Sequence, residues 1–374
     1  MKLTEKELER YRRHLVLNDF GVKAQEKLKE AAVLVVGAGG LGCPVLLYLA
    51  AAGVGRLGIV DSDTVQVSNL QRQILFSAED AGQNKARVAA ERIHQLNPHL
   101  TTEVHATRLS PENAAGIMSN YDVVVDGTDN FSSRYLINDA CVVLQKPLVY
   151  GSILQYEGQL AVFNVQVNDR VRSTNYRDLF PQPPDEKQIP NCAEAGVLGV
   201  LPGIIGCMMA TEVIKLITGI GKPFTDRLML VDALTMEIHT INIAKRIPSS
   251  AITILPDYHL LCNSTKALSM KEITVHDLKA MMDAGEDFQL IDVREPYENE
   301  QASLGGELIP MAQIPYNVDR IDRNRKVVIH CRSGGRSSNI IQWLEKNHGF
   351  SNLYNLKGGI LAWAKEIDPS IDVD

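Results

Sequence analysis

Four glycines set between a β-rich run and an apolar helix restrict this chain more than any other feature. The run AVLVVG, residues 32–37, opens into Gly37-Ala38-Gly39-Gly40-Leu41-Gly42. CPVLLYLAAAG, residues 43–53, follows with the composition of a buried helix, and LGIVDSD, residues 57–63, reads as a second strand. Strand, glycine turn, helix and strand make a β-α-β unit, the opening of a doubly wound sheet. Glycines let a backbone approach phosphate closely, and a helix N-terminus favours negative charge. The spacing predicts an α/β fold with a Rossmann-like nucleotide site.

The rest of the chain extends this unit. Residues 4–30 read as one or two charged helices. Residues 83–96 have helical spacing and stop at Asn97-Pro98, residues 102–109 and 122–128 read as strands, and 132–144 as a helix. PLVYGSI, GQLAVFNV and RLMLVDALTMEIHTINI follow with few long helices between them, so the sheet is expected to be mixed, with antiparallel additions. Composition shifts at 245–270, and a second, smaller α/β unit follows. The expected organisation is a first domain over 1–262, a linker over 263–270 and a second domain over 271–374.

Bulk properties narrow the function class. The net charge of -7 argues against non-specific binding to nucleic acid. The charged N-terminus lacks the basic-then-apolar pattern of a signal peptide. The apolar stretch Val197–Ala210 is interrupted by Gly199, Pro202, Gly203 and Gly206, which suits a buried helix better than a membrane span. Six cysteines without a C-x-x-C pair make a disulfide scaffold improbable. A cytoplasmic enzyme without nucleic-acid or membrane partners is expected.

The glycine motif alone suits a nicotinamide dehydrogenase equally well. Asp61 ends the second strand, where a carboxylate accepts ribose hydroxyls. Asp61-Ser62-Asp63 then leads into Ser68-Asn69-Leu70-Gln71-Arg72-Gln73, and Lys85 follows. A triphosphate needs such cations more than a dinucleotide does. Asp129, just after the strand DVVVDGT, is placed to hold Mg²⁺ beside phosphates.

GAGGLG, DSDTVQVSNLQRQ, DGTDN and PNCAEAGVLGVLPG together resemble the MoeB/ThiF family of ubiquitin-activating-like adenylyltransferases, over roughly residues 5–262. The resemblance implies that ATP is held at Gly40, Asp61, Ser68, Asn69, Leu70, Gln71, Arg72, Lys85, Asp129 and Asn130. Gly37, Gly39, Gly42 and Asp63 belong to the same candidate site, and Asp129 supports magnesium. RYRRH resembles a segment that sends an arginine, here Arg13, into a partner subunit's ATP site, which implies a homodimer. Cys192 follows a Pro-rich loop and precedes the long apolar helix, where a thiol becomes a better nucleophile. The matching family cysteine forms a covalent or redox intermediate. Cys43, Cys141 and Cys207 lie in apolar helical patterns and read as core.

One departure stands out. Many relatives bind structural zinc through two C-x-x-C pairs. Here Asn175 and Asp178 occupy the first pair, and His259 and Cys262 the second. A mixed His259/Cys262/Asp178 site is a poor zinc site, so no structural zinc is expected.

Downstream, the strand KVVIH runs into Cys331-Arg332-Ser333-Gly334-Gly335-Arg336-Ser337 and then a helix. Such a loop curls backbone N–H groups around the Cys331 sulfur, while Arg332, Arg336 and the helix N-terminus favour a thiolate. A C-x5-R loop fits phosphate; the shorter C-x4-R spacing fits a single terminal sulfur. With IDVREPYE upstream and NLKGGILAW downstream, residues 271–374 resemble a rhodanese domain, whose matching cysteine carries a persulfide. Asp292 and Arg294 are expected to brace the fold.

The domain order resembles fused adenylyltransferase–sulfurtransferases of molybdopterin, thiamine and tRNA-thiolation pathways. It implies ATP-dependent activation of a ubiquitin-like sulfur carrier ending in Gly-Gly. Sulfur would come from a cysteine desulfurase or thiosulfate. Two rivals predict different behaviour. A nicotinamide-dependent oxidoreductase with a rhodanese sensor would release no pyrophosphate, and a non-catalytic scaffold would bind a ubiquitin-like partner without ATP turnover.

Overall fold

The computed structural model describes residues 2–168, 171–181, 195–246 and 271–371, with the single residues 252 and 255. The described residues form two compact units, a larger N-terminal one and a smaller one over residues 271–371.

In the first unit the strands are β1 (Ala32–Val36), β2 (Arg56–Val60), β3 (Thr101–His105), β4 (Val123–Asp126), β5 (Leu148–Leu154) and β6 (Glu157–Phe163). A small two-stranded ladder, β7 (Gln166–Asn168) and β8 (Val171–Arg172), stands apart, and β9 (Arg227–Asp232) and β10 (Ile238–Asn242) complete the set. The eight-stranded sheet has the order β10-β9-β6-β5-β4-β1-β2-β3. Strands β3, β2, β1, β4 and β5 are parallel, while β6, β9 and β10 add antiparallel. The mixed sheet expected from the missing helices is present. The chain winds outward from β1 to β3, then returns to β4 on the other side of β1. That reversal opens a crevice at the carboxyl ends of β1 and β4.

Every residue of β1 is buried, because helices cover both faces of the sheet. Val33 and Val35 point into one core with Leu46, Leu49, Ile205 and Met209. Leu34 and Val36 point into the other, with Tyr121, Tyr135, Tyr150 and Phe163. Each such buried side chain stabilises the fold by roughly 1.5–3 kcal/mol relative to exposure.

The apolar stretch 197–210 becomes helical only at Leu201. Pro202 fits its first turn, the helix runs on to Thr218, and Gly219 ends it at φ +80°. This helix is long and apolar enough to cross a membrane, yet it packs on the helix Gly42–Ala52 and on β5. Its Leu201, Ile205, Met209, Ala210 and Val213 are core residues. Two sequence readings need correction. Residues 4–30 form three helices, Glu5–Arg10, Arg12–Leu15 and Gly21–Glu30. The strand expected over 102–109 stops at His105, because β2, its one neighbour, ends opposite it at Val60.

The second unit is a five-stranded parallel sheet of β11 (Glu272–Ile273), β12 (Phe288–Asp292), β13 (Glu307–Leu308), β14 (Lys326–His330) and β15 (Leu353–Leu356), in the order β11-β15-β14-β12-β13. β14 is central, with Val327 and Ile329 in one core and Val328 in the other. Cys331 follows at its carboxyl end.

Candidate functional site

The crevice at the ends of β1 and β4 is a cavity of about 340 Å³. Its floor is built from backbone. Gly37 has φ +92°, and a Cβ there would lie 2.8 Å from the Gly127 carbonyl oxygen. A Cβ on Gly42 would fall 1.9 Å from the Gly37 oxygen. Only glycine closes this turn and starts the helix Gly42–Ala52 at that distance. The Ala38 and Asp63 N–H groups each donate to the Asp61 carboxylate at 2.8 Å. Burial pushes the Asp61 carboxyl up, against those two donors, which favour its anion.

Gly37, Gly39, Gly40, Asp61, Asp63, Arg72, Lys85, Asp129 and Asn130 all line this cavity. Lys85 begins the helix Lys85–Leu96, and its ammonium lies 3.3 Å from an Asp63 oxygen. The Lys85 side chain is 8% exposed and that of Asp63 70%. A carboxylate so open to water compensates the sheltered cation weakly, and the half-buried Asp61 carboxylate also acts on it. Arg72 donates to the uncharged Ser68 carbonyl at 3.2 Å. Asp129 is exposed on the cavity wall, and Asn130 caps the helix Phe131–Val143 by accepting from the Ser133 N–H at 2.9 Å.

The second site lies at the end of β14. Cys331 is 1% exposed. Its sulfur accepts from the Gly334 N–H at 3.2 Å and lies 3.5 Å from the Ser337 hydroxyl. The loop is clamped from behind. The Ile360 and Leu361 N–H groups, in the first turn of the helix Gly359–Glu366, donate to the Cys331 and Arg332 carbonyls at 3.0 Å. A Cβ on Gly359 would lie 2.4 Å from the Cys331 oxygen, which accounts for the second glycine of NLKGG. With the carbonyls held on one side, the loop turns N–H toward sulfur.

A model of the ThiF family matches residues 11–251, and one of the rhodanese-like domain matches residues 274–366. The chain belongs to the ThiF family. The "Probable adenylyltransferase/sulfurtransferase MoeZ" of Mycobacterium tuberculosis is 44% identical over 377 residues, 99% of this chain and 96% of that protein. The "Adenylyltransferase and sulfurtransferase MOCS3-2" of Zea mays is 38% identical over 97% of this chain and 80% of its own length. The "Sulfur carrier protein adenylyltransferase" of Thermus thermophilus is 51% identical over 66% of this chain and 90% of its own length. The crystal structure of E. coli MccB with MccA-N7isoASN has a TM-score of 0.57 over 66% of this chain and 74% of that one. At 21% identity, that likeness is one of fold. This ThiF-family chain is therefore an adenylyltransferase and sulfurtransferase, and its family implies the use of ATP. The oxidoreductase and scaffold rivals are displaced.

Several expected positions sit elsewhere. Ser68, Asn69, Leu70 and Gln71 lie on or beside the short turn Val67–Asn69 and do not line the cavity. They carry Arg72 to it, and Gln71 packs its backbone against Gly199. Gly42 shapes the turn from beneath. Arg13 is exposed on the helix Arg12–Leu15 and is not part of this cavity wall. Cys192, His259 and Cys262 lie outside the described residues. Asn175 and Asp178 are buried and committed to hydrogen bonds. Asn175 caps the helix Tyr176–Leu179, and Asp178 accepts from the Asn175 and Arg246 backbone N–H groups. Burial pushes the Cys43 thiol up to about 12 and raises that of Cys141, as suits core residues. Cys207 is half-buried, so the core reading of it is corrected.

Other wall residues were not singled out from the sequence, although Gln73 ends a motif quoted there. Thr107, Arg108 and Leu109 follow β3 over the crevice, and Gln73, Ser133, Arg134 and Ile153 are also part of its lining. Arg134 and Asp126 are both buried beneath the Gly127–Asn130 loop. Thr128 donates to Asp126 through its N–H at 2.9 Å and its hydroxyl at 2.6 Å, and Arg134 donates to the Thr128 carbonyl at 3.4 Å.

In the rhodanese-like unit Arg332 and Ser333 are exposed, while Arg336, expected to favour the Cys331 thiolate, is half-buried and has a carboxylate partner of its own. It makes a two-point ion pair with Glu298, at 2.7 and 2.6 Å. Asp292 and Arg294 form a buried pair, with Nη2 to Oδ2 at 2.6 Å. His330 lies under the loop, 3.9 Å from Asp292, and among the described residues neither ring nitrogen has a hydrogen-bond partner.

Burial pushes the His330 imidazole down to about 4, against the pull of Asp292, from an ordinary value of 6.5. The unfolded chain therefore takes up this proton first as pH falls. The stabilisation is complete above about pH 6.5 and declines toward pH 4, by about 3 kcal/mol in all. Burial opposes the Asp292 and Glu298 carboxylates, yet hydrogen bonds from Arg294 and Arg336 hold both below the usual range. Their contribution is lost in more acid solution, so the upper window belongs to His330. Urea unfolding of the rhodanese-like unit should show falling stability from pH 7 to pH 5, and His330→Phe should flatten that slope. Equal slopes in both proteins would refute this.

Proposed function

We propose that this chain adenylates the C-terminal glycine of a ubiquitin-like sulfur carrier ending in Gly-Gly, then exchanges the adenylate for sulfur carried by Cys331. The observation that carries the reading is the meeting of the glycine turn, Arg72, Lys85 and Asp129 in one cavity. It stands in a chain that also holds the Cys331 sulfur among loop donors.

A carboxylate repels nucleophiles and has a poor leaving group. Its oxygen would attack the α-phosphorus of ATP, pyrophosphate would leave, and the product is an acyl-adenylate. Arg72 and Lys85 are placed to neutralise the charge on the departing phosphates. Asp61 would accept the ribose hydroxyls, with the backbone of Gly37, Gly39 and Gly40 alongside. Mg²⁺ commonly keeps its waters and takes one or two carboxylates plus phosphate oxygens. The exposed Asp129 fits such an ion, and the described residues hold no cluster of three or more ligating side chains. Bound there, the ion would neutralise phosphate charge.

The terminal sulfur of a Cys331 persulfide would attack the acyl carbonyl and expel AMP, leaving an acyl disulfide. The Cys192 thiolate would attack the Cys331 sulfur, form a Cys192–Cys331 disulfide and release the carrier thiocarboxylate; a cellular thiol then reduces the disulfide. In the alternative order Cys192 first forms a thioester with the carrier. A cysteine desulfurase or thiosulfate would load Cys331. The pathways such a product serves are those of molybdopterin, thiamine or tRNA thiolation.

Three experiments test the proposal. ATP–pyrophosphate exchange should require a Gly-Gly carrier. It should fall at least about a hundredfold in Asp129→Ala, the scale set by loss of one electrostatic stabiliser. Undiminished exchange removes Asp129 from the site.

A homodimer with Arg13 reaching across is supported by the exposure of Arg13 away from its own cavity. Mixing Arg13→Ala with Lys85→Ala should restore part of the activity, since one mixed site is intact. A fully active monomer would exclude this.

Cys331→Ser should keep exchange and lose both persulfide loading and thiocarboxylate formation. Cys192→Ser should keep exchange and loading but slow product release, with a carrier–enzyme adduct visible by intact mass. Thiocarboxylate formed at the wild-type rate by Cys192→Ser, without reductant, would remove Cys192 from the chemistry.

A further inference from the structure

One of the two arginines of the Cys331 loop already has a partner. Arg336 lies in the first turn of the helix Gly335–His348, directly after the loop. Both of its terminal nitrogens donate to Glu298, at 2.7 and 2.6 Å, in the planar fork that binds a carboxylate best. The side chains are 22% and 14% exposed, so this is no swinging surface bridge. Glu298 is itself held. Its Oε2 accepts from the Glu295 N–H at 3.0 Å, and its carbonyl accepts from Arg294, which Asp292 anchors. An incoming donor therefore meets an ion pair of no net charge, with the exposed Arg332 as the remaining loop cation.

We infer that Glu298 is a positioning residue that sets donor choice at Cys331: it cancels the Arg336 charge and so disfavours a dianionic donor such as thiosulfate relative to the persulfide of a thiol. The inference rests on the reading of Cys331 as the persulfide carrier. With thiosulfate, the Cys331 thiolate attacks the outer sulfur, the sulfur–sulfur bond breaks and sulfite leaves with the electron pair. With a thiol persulfide, RSSH, the same attack on the outer sulfur expels the thiolate RS⁻, and the proton stays on the new persulfide. The total charge is conserved in both steps. Only the first asks the loop to receive two negative charges at once.

The test uses the full chain, with thiosulfate and 2-hydroxyethyl persulfide as donors and Cys331 loading followed by intact mass. Glu298→Gln should raise kcat/KM for thiosulfate about tenfold, mainly through KM, the order expected for one uncovered charge at a half-buried site. The other donor should change by no more than about twofold, since its charge is smaller. Glu298→Asp should behave as wild type, and adding Arg336→Gln to Glu298→Gln should cancel the gain. Glu298→Ala should move in the same direction as Glu298→Gln. An unchanged or lower thiosulfate kcat/KM in both neutral variants overturns the inference, as does an equal rise with both donors. Failure of both to fold would make Glu298 a structural brace and also overturn it. If wild type loads no sulfur at Cys331 from either donor, the underlying reading fails instead.

Discussion

At the end of β1 two stretches of backbone come so close that a Cβ on Gly37 would lie 2.8 Å from the Gly127 carbonyl. Much else depends on this approach. It brings β1 and β4 together where the winding of the sheet reverses. It aims the Gly42–Ala52 helix at the crevice, and it sets Asp61 where the Ala38 N–H can hold it. A side chain at Gly37 or Gly42 would push apart the surfaces that form the cavity floor. The buried β1, packed on both faces, keeps that floor from relaxing.

The rhodanese-like unit meets the same problem, holding an anion at the end of a buried parallel strand, with different parts. Its central strand β14 ends in a loop whose carbonyls are taken up by the helix Gly359–Glu366. The Gly334 N–H is then left to face sulfur. The two sites also manage charge differently. Lys85 is sheltered and makes its ion pair with a solvated Asp63, whereas Arg336 is locked to Glu298. The first arrangement suits a ligand with several phosphates. The second suits a sulfur with little charge to spread.

Buried ionisable groups sit beneath both loops. Asp126 and Arg134 lie under Gly127–Asn130, and Asp292, Arg294 and His330 lie under Cys331. Such groups are costly to desolvate and tolerate little movement of their partners, so they favour one geometry of the loop above. The rigidity of each site comes from below as much as from its own hydrogen bonds.

The sequence by itself determined what depends on neighbouring residues. The glycine turn, the parallel strands around it, the antiparallel additions and the Cys331 loop follow from spacing and from which residues tolerate a tight backbone. The wall residues Gly37, Gly39, Gly40, Asp61, Asp63, Arg72, Lys85, Asp129 and Asn130 were legible because each lies in or beside a short motif. Tertiary structure alone decided the rest. Thr107, Arg108 and Leu109 reach the cavity because β3 ends beside β2, and no local pattern marks that edge. Ser68–Gln71 fall back from the wall because the turn they make points Arg72 inward instead. Glu298 meets Arg336 from 38 residues away, across two short helical turns and two strands. A backbone constraint is written in adjacent residues, whereas a charge pair or a cavity wall exists only once packing has chosen which distant side chains share the same few ångströms.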